Sequence, residues 1–183
     1  MNNIIGNIEI IQGDLTSMDL DIIVNAANTT LLGGGGIDGV IHYKAGPELL
    51  EECKKLNGCE IGSAKMTDAY RLPSKKIIHA CGPIFYENKE RAPIQLKKCY
   101  KKCIELAEEY RTLNKLDKVS IGFPCISTGI FGYPKDEACK IAINTIKEYA
   151  NENIEIKFVC YEELDYKLYI NYLNGAEKGV FEL

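Results

Sequence analysis

The sequence predicts an α/β domain in three layers, with helices covering both faces of a mostly parallel central sheet. Three observations point there. Short apolar runs of β type alternate with longer runs of helical period almost from end to end. Hydrophobic residues make up 46% and charged residues 26% of the 183 residues, a mixture that supports a buried core and excludes disorder over most of the chain. No repeat, charge block or low-complexity linker divides the chain, so residues 1–183 read as one domain, with 174–183 as an uninformative tail.

Taken in order, Ile8-Glu9-Ile10-Ile11 and Asp21-Ile22-Ile23-Val24 read as strands, the second buried on both faces. Ile37 to Leu56 has helical period, with a break expected at Gly46-Pro47 because proline cannot continue the ladder. Lys65 to Leu72 and Lys76 to Ala80 read as two strands separated by a turn at Pro73-Ser74. Pro93 to Tyr110 is a helix: proline suits the first turn, and Leu96, Cys99, Tyr100, Cys103, Ile104 and Ala107 share one face. Lys118 to Ile126 is a strand, and Pro134 to Ala150 a helix with Ala138, Ile141, Ala142, Thr145 and Ile146 inward. Ile154 to Tyr161 closes the set of strands and Asp165 to Leu173 the set of helices.

Charge and composition exclude several classes. Lys and Arg number 22 against 26 Asp and Glu, a net charge of −4, so the clustered basic excess that grips a nucleic-acid backbone is missing. No apolar run approaches the roughly 18 residues of a membrane span, and the N-terminal residues resemble no signal peptide, so a cytoplasmic protein is expected. The eight cysteines contain no Cys-x2-Cys pair and follow no secretion signal. They are expected to be reduced, mostly buried thiols, and no metal or other cofactor is expected. The two histidines, His42 and His79, read as hydrogen-bonded structural residues.

In parallel sheets ligands bind beyond the carboxyl ends of strands, which directs attention to residues 12–19, 25–38, 125–134 and 161–165. The second of these contains Gly33-Gly34-Gly35-Gly36 running into a helix start, a loop whose backbone N–H groups can cradle a pyrophosphate. Gly34-x-Gly36-x-x-Gly39 matches the dinucleotide fingerprint only literally, since Asn25 to Leu32 separate it from its strand; without a following Gly-Lys-Ser/Thr it is no P-loop either. Asp38, in the first turn of that helix, is either a helix-start carboxylate held as the anion by the dipole or a group that holds and deprotonates a water. Asn25 and Asn28 either cap the loop or offer amides to ribose hydroxyls. Ser127, Thr128, Gly129 and Gly132 permit a second row of backbone donors facing the first. Phe131 and Tyr133, odd as core residues in so short a loop, are expected to wall a sugar pocket. Asp14 either caps a helical turn or accepts from an adenine amino group, and Tyr161 either stacks on a base or is a rim aromatic.

Six segments then fix a resemblance. Gly-Asp-Leu-Thr (13–16), Asn-Ala-Ala-Asn (25–28), Gly-Gly-Gly-Gly-Ile-Asp-Gly-Val-Ile-His (33–42), Tyr-Arg-Leu-Pro (70–73), Ile-His-Ala-Cys-Gly-Pro (78–83) and Phe-Pro-Cys-Ile-Ser-Thr-Gly-Ile-Phe-Gly-Tyr-Pro (123–134) resemble, in order, a macrodomain of the MacroD type over about residues 8–173. The resemblance implies a mixed, mainly parallel six-stranded sheet between helices, and a protein that binds ADP-ribose. It further implies hydrolysis of the ester joining mono-ADP-ribose to aspartate or glutamate side chains of proteins, and deacetylation of O-acetyl-ADP-ribose. By position, Asp14 and Leu15 lie at the adenine and Tyr161 stacks on it. Asn28 holds the distal ribose, and Asp38 acts on a water beside the anomeric carbon. Gly35, Gly36, Ile37, Ser127, Thr128, Gly129, Ile130 and Phe131 clamp the diphosphate and distal ribose. Leu15, Ala69 and Tyr161 depart mildly from the family pattern. A non-catalytic ADP-ribose reader and an ADP-ribose 1″-phosphate phosphatase are the competing functions; the presence of Asp38 speaks against the reader.

Overall fold

The computed structural model describes residues 1–175; of the segment read as a tail, all but Asn174 and Gly175 lies outside the described residues. Strands β1 (Ile4–Ile5) and β2 (Ile8–Gln12) form a hairpin whose turn begins at Gly6, φ +61°. A single 3-10 turn, Leu15–Ser17, leads to β3 (Ile22–Ala27). Helices α1 (Gly36–Ala45) and α2 (Pro47–Lys55) follow, then β4 (Ala64–Asp68) and β5 (Lys76–Cys81). The rest alternates: α3 (Ala92–Leu113), β6 (Val119–Phe123), α4 (Lys135–Tyr149), β7 (Ile154–Cys160) and α5 (Glu163–Leu173). Among the described residues, no helix is long and apolar enough to cross a membrane.

The strands make one sheet in the order β1-β2-β7-β6-β3-β5-β4. All pairings from β2 to β5 are parallel, and β1 and β4 close the two edges antiparallel. Where six strands were expected, the described residues form seven. The additional one, β1, is two exposed isoleucines long, too short for any period to show. The expected strand from Lys65 ends at Asp68, where Tyr70 turns the chain with φ +51°. The expected break between α1 and α2 stands at Gly46, which has φ +90° and precedes Pro47.

Alternation of side chains across the sheet sorts the core into two. Ile22 and Val24 of β3 face α3, α4 and α5 and join an apolar cluster with Tyr100, Phe123, Phe158 and Tyr169. Ile23 and Ala27 face α1 and α2 and pack with Ile41, Leu49, Cys53 and Ile77. The residue between them in that second row is Asn25, fully buried, and its register partner on β5 is the fully buried His79. A polar pair thus interrupts an otherwise apolar face directly beneath α1.

Candidate functional site

The carboxyl ends of β2, β7, β6 and β3 stand side by side, and the loops that leave them enclose a cleft of about 650 Å³. Three interstrand spacings set its length at roughly 14 Å. Most residues expected at a ligand line this one cleft: Asp14 and Leu15 after β2, Tyr161 after β7, Ser127 to Phe131 after β6, and Asn28 with Gly35 to Asp38 after β3; Asn25 and Tyr133 are buried behind it. Val40, Cys125, Val159, Glu162 and Asp165 line it too and were not anticipated. Glu162 and Asp165, at the start of α5, fall within the segment 161–165 and Cys125 within the segment 125–134; the Cys125 Sγ lies 3.9 Å from that of Cys160.

The glycine loop works through conformation and through close approach. Gly33 (φ +90°) and Gly36 (φ +58°) adopt the left-handed backbone. At Gly39 a Cβ would stand 2.6 Å from the Gly34 carbonyl oxygen, and at Gly34 it would stand 3.1 Å from Asp38 Oδ2. The loop is tied by Asn28, whose amide donates to the Gly33 carbonyl at 2.9 Å while its oxygen accepts from the Thr30 amide at 3.0 Å. Its side chain thus ties the loop at the edge of the cleft. Among the described residues no side chain caps α1, so the N–H groups of its first turn open on the cleft beside Gly35, Gly36 and Ile37.

The opposite wall turns on Ser127, held at φ +66° with its carbonyl accepting from the Tyr133 amide at 2.9 Å. Thr128 Oγ1 donates to the Cys125 carbonyl at 2.9 Å, and the Gly132 amide donates to the Gly129 carbonyl at 3.0 Å. Gly82 explains itself here: a Cβ on it would meet Ser127 Oγ at 2.2 Å. Ile130 is 88% exposed and Phe131 half-buried on the rim. Tyr133 corrects the expectation of a sugar wall, because its ring is buried against Phe85, centroids 4.9 Å apart. Leu15 offers the cleft mainly its backbone, since its side chain is buried over Gly122.

Two aspartates sit at the two ends. Asp14 Oδ1 accepts from the Thr16 amide (2.9 Å) and hydroxyl (2.6 Å), capping the 3-10 turn, and Oδ2 receives Lys44 Nζ at 3.0 Å. The hydrogen bonds from Thr16, with help from Lys44, hold its carboxyl below the usual range. Tyr161, 83% exposed, flanks this end. Asp38 is 3% exposed; Oδ1 accepts from Asn25 Nδ2 at 2.8 Å, and His42 Nε2 stands 3.4 Å away. Burial raises its pKa in spite of the hydrogen bond from Asn25 and the pull of His42.

Behind Asp38, His42, Cys53 and His79 bring donor atoms within 4.8 Å of one another. His79 Nδ1 faces Asn25 Nδ2 at 3.1 Å and its Nε2 faces Thr67 Oγ1 at 2.8 Å, so both ring nitrogens are engaged by protein groups; we read the set as a hydrogen-bond network. Spacing in the sequence gives no sign of it, because β3 and β5 meet across 54 residues.

A family model described as Macro domain matches residues 24–142. The chain is 47% identical over 162 residues to a Macro domain-containing protein of Methanosarcina mazei, covering 87% of this chain and 83% of that one. It is 45% identical over 172 residues to ADP-ribose glycohydrolase MACROD2 of Homo sapiens, covering 91% of this chain and 39% of that one. Among solved structures, a mutant Oceanobacillus iheyensis macrodomain with ADPR superposes with a TM-score of 0.84 at 40% identity, covering 91% of each chain. With its fold, its two facing loops and these relatives in agreement, the chain belongs to the macro domain family.

Proposed function

We propose that this protein is a hydrolase that binds ADP-ribose and removes mono-ADP-ribose from aspartate and glutamate side chains of proteins, and that it deacetylates O-acetyl-ADP-ribose. The observation that carries the reading is Asp38, a buried carboxylate of raised pKa beside the uncapped start of α1. Relatives named as ADP-ribose glycohydrolases and a neighbour solved with ADPR support the ligand class. The cleft suits a long ligand with an anionic middle: Asp14 and Tyr161 receive the adenine, the loops around Gly36 and Ser127 the pyrophosphate, and Asn28 and Asp38 the distal ribose.

In the reaction, Asp38 takes a proton from a water as its oxygen bonds to the anomeric carbon. The bond from that carbon to the acceptor's carboxylate breaks, and the carboxylate leaves as an anion that needs no acid. The proton on Asp38 returns to solvent. Positioning by the two loops contributes alongside the base. A base whose pKa lies above the ordinary aspartate value is the stronger for it at neutral pH.

The test uses a protein modified on glutamate by a mono-ADP-ribosyltransferase. Asp38→Ala is expected to lose label removal by about 100-fold or more, the usual size of a general-base contribution, while calorimetry shows ADP-ribose still bound. Unchanged turnover in the variant would remove Asp38 from the chemistry. Binding without label loss by the wild-type protein would make it a reader.

A further inference from the structure

Asn25 has one amide nitrogen and two demands on it. Its Nδ2 lies 2.8 Å from Asp38 Oδ1 and 3.1 Å from His79 Nδ1, and its own Oδ1 has no partner among the described residues. An ionised carboxylate only accepts, so the NH2 group must face Asp38. The second N–H then points at His79 Nδ1, which must be bare. That places the imidazole proton on Nε2, where Thr67 Oγ1 accepts it at 2.8 Å, and the Thr67 hydroxyl in turn donates to the Asp68 carbonyl at 3.1 Å. Donors and acceptors agree along the whole chain in this direction.

The reversed chain is also self-consistent, with one difference. If His79 carried its proton on Nδ1, it would donate to an Asn25 oxygen turned toward it, and the Thr67 hydroxyl, 2.8 Å from Nε2, would give up the Asp68 carbonyl to donate to the freed nitrogen, with Cys53 Sγ 3.8 Å away. Asn25 would then turn an oxygen toward Asp38, an arrangement that only the protonated carboxylic acid tolerates. The two directions therefore correspond to two protonation states of Asp38.

We propose that His79 and Thr67 are positioning residues that, through the amide of Asn25, hold Asp38 ready as an anion. The consequence for turnover rests on the hydrolase reading; the consequence for Asp38 itself does not. The groups facing Asp38 are His42 of its own helix, Asn25 of β3, His79 of β5 and Cys53 of α2. Burial pushes the Cys53 thiol up to about 11 and His79 down to about 3, so both are neutral over the working range and neither supplies a charge in place of the relay.

Two measurements on the intact protein test this without substrate. Long-range 1H–15N correlation is expected to show His79 as the Nε2–H tautomer, unprotonated on Nδ1 from pH 8 to 5; an Nδ1–H or charged ring overturns the proposal. The Asp38 carboxyl, followed by 13C NMR, is expected to titrate about one unit higher in Thr67→Val, a tenfold change in its protonation equilibrium, and as wild type in Thr67→Ser. Equal titration in all three overturns the relay. With an ADP-ribosylated substrate, the acid limb of kcat should move up with the Asp38 titration in Thr67→Val while ADP-ribose binding stays constant. A uniform loss of kcat with no movement of the limb would reduce Thr67 to a packing residue. If wild type proves inactive, the hydrolase reading fails while the two NMR outcomes still decide the relay.

Discussion

The cleft carries one aspartate at each end, and the protein treats them in opposite ways. Asp14 is part of a turn: it is capped onto Thr16, paired with Lys44, partly solvated, and held as an anion at lower pH than usual. Asp38 is part of the core: it is enclosed by α1, β3 and the glycine loop, and burial makes it reluctant to ionise. The same side chain is thus given opposite proton affinities by its surroundings alone. A carboxylate held as the anion can be assembled on the surface, whereas one reluctant to ionise has to be assembled from the interior.

Asp38→Asn and Asp14→Asn should separate most widely in turnover. The first is expected to lower kcat by about 100-fold or more, the second to leave kcat within about twofold while raising KM, both read on an ADP-ribosylated protein substrate. Equal kcat losses would erase the distinction between the ends. Next in size is Gly39→Ala, which drives a methyl group against the Gly34 carbonyl and is expected to cost about 1–3 kcal/mol in urea unfolding while weakening ADP-ribose binding. A neutral Gly39→Ala would show that the loop yields easily and that its geometry is not what α1 enforces.

Stability against pH provides the finer contrast, with opposite signs. Asp38 has a raised pKa, so in the interval between its unfolded and folded values the native state binds the extra proton and stability falls as pH rises. Asp38→Asn removes that penalty. It is expected to raise the melting temperature at pH 7 by about 2–4 °C for each kcal/mol relieved, with the gain vanishing below the ordinary aspartate value of about 3.8. Asp14 has a depressed pKa, so its contribution is complete above that ordinary value and disappears as pH falls through the folded one. Asp14→Asn should therefore lower the melting temperature slightly at neutral pH and not at all in strong acid. The effect is the smallest of the set, because Lys44 and Asp14 are both about two-fifths exposed and solvent screens them. Melting curves of both variants from pH 3 to 7 check the two slopes together.

The sequence made the helices and the floor of the cleft legible because both leave local marks. Leu96, Cys99, Tyr100, Cys103, Ile104 and Ala107 recur at helical spacing, and all are buried on one face of α3. Four consecutive glycines before Asp38 announce a backbone that must bend and approach closely. What escaped reading depends on distance along the chain. Tyr133 looked like a pocket wall until Phe85, 48 residues earlier in sequence, covered it. Asn25 reads in the sequence as a loop cap or a ribose donor and His79 as a separate structural residue, because nothing local records that they are partners in a parallel register. Asp38 itself was found, and the desolvation that sets its proton affinity was not, since burial belongs to the folded whole.

That long-range construction has a kinetic side. β2 pairs with β7 across 148 residues, Ile8 opposite Ile156, and those two strands carry the Asp14 end of the cleft, while the Asp38 end hangs on β3 and α1. Only a fragment that runs from β2 through β7, nearly the whole chain, contains every strand whose loops line the cleft. Such non-local pairings close late and slowly during folding, so a chain that has formed only its central strands presents half a cleft. A ligand that reaches from Asp14 to Asp38 engages only the finished sheet, and it would pull the final pairing step forward by mass action.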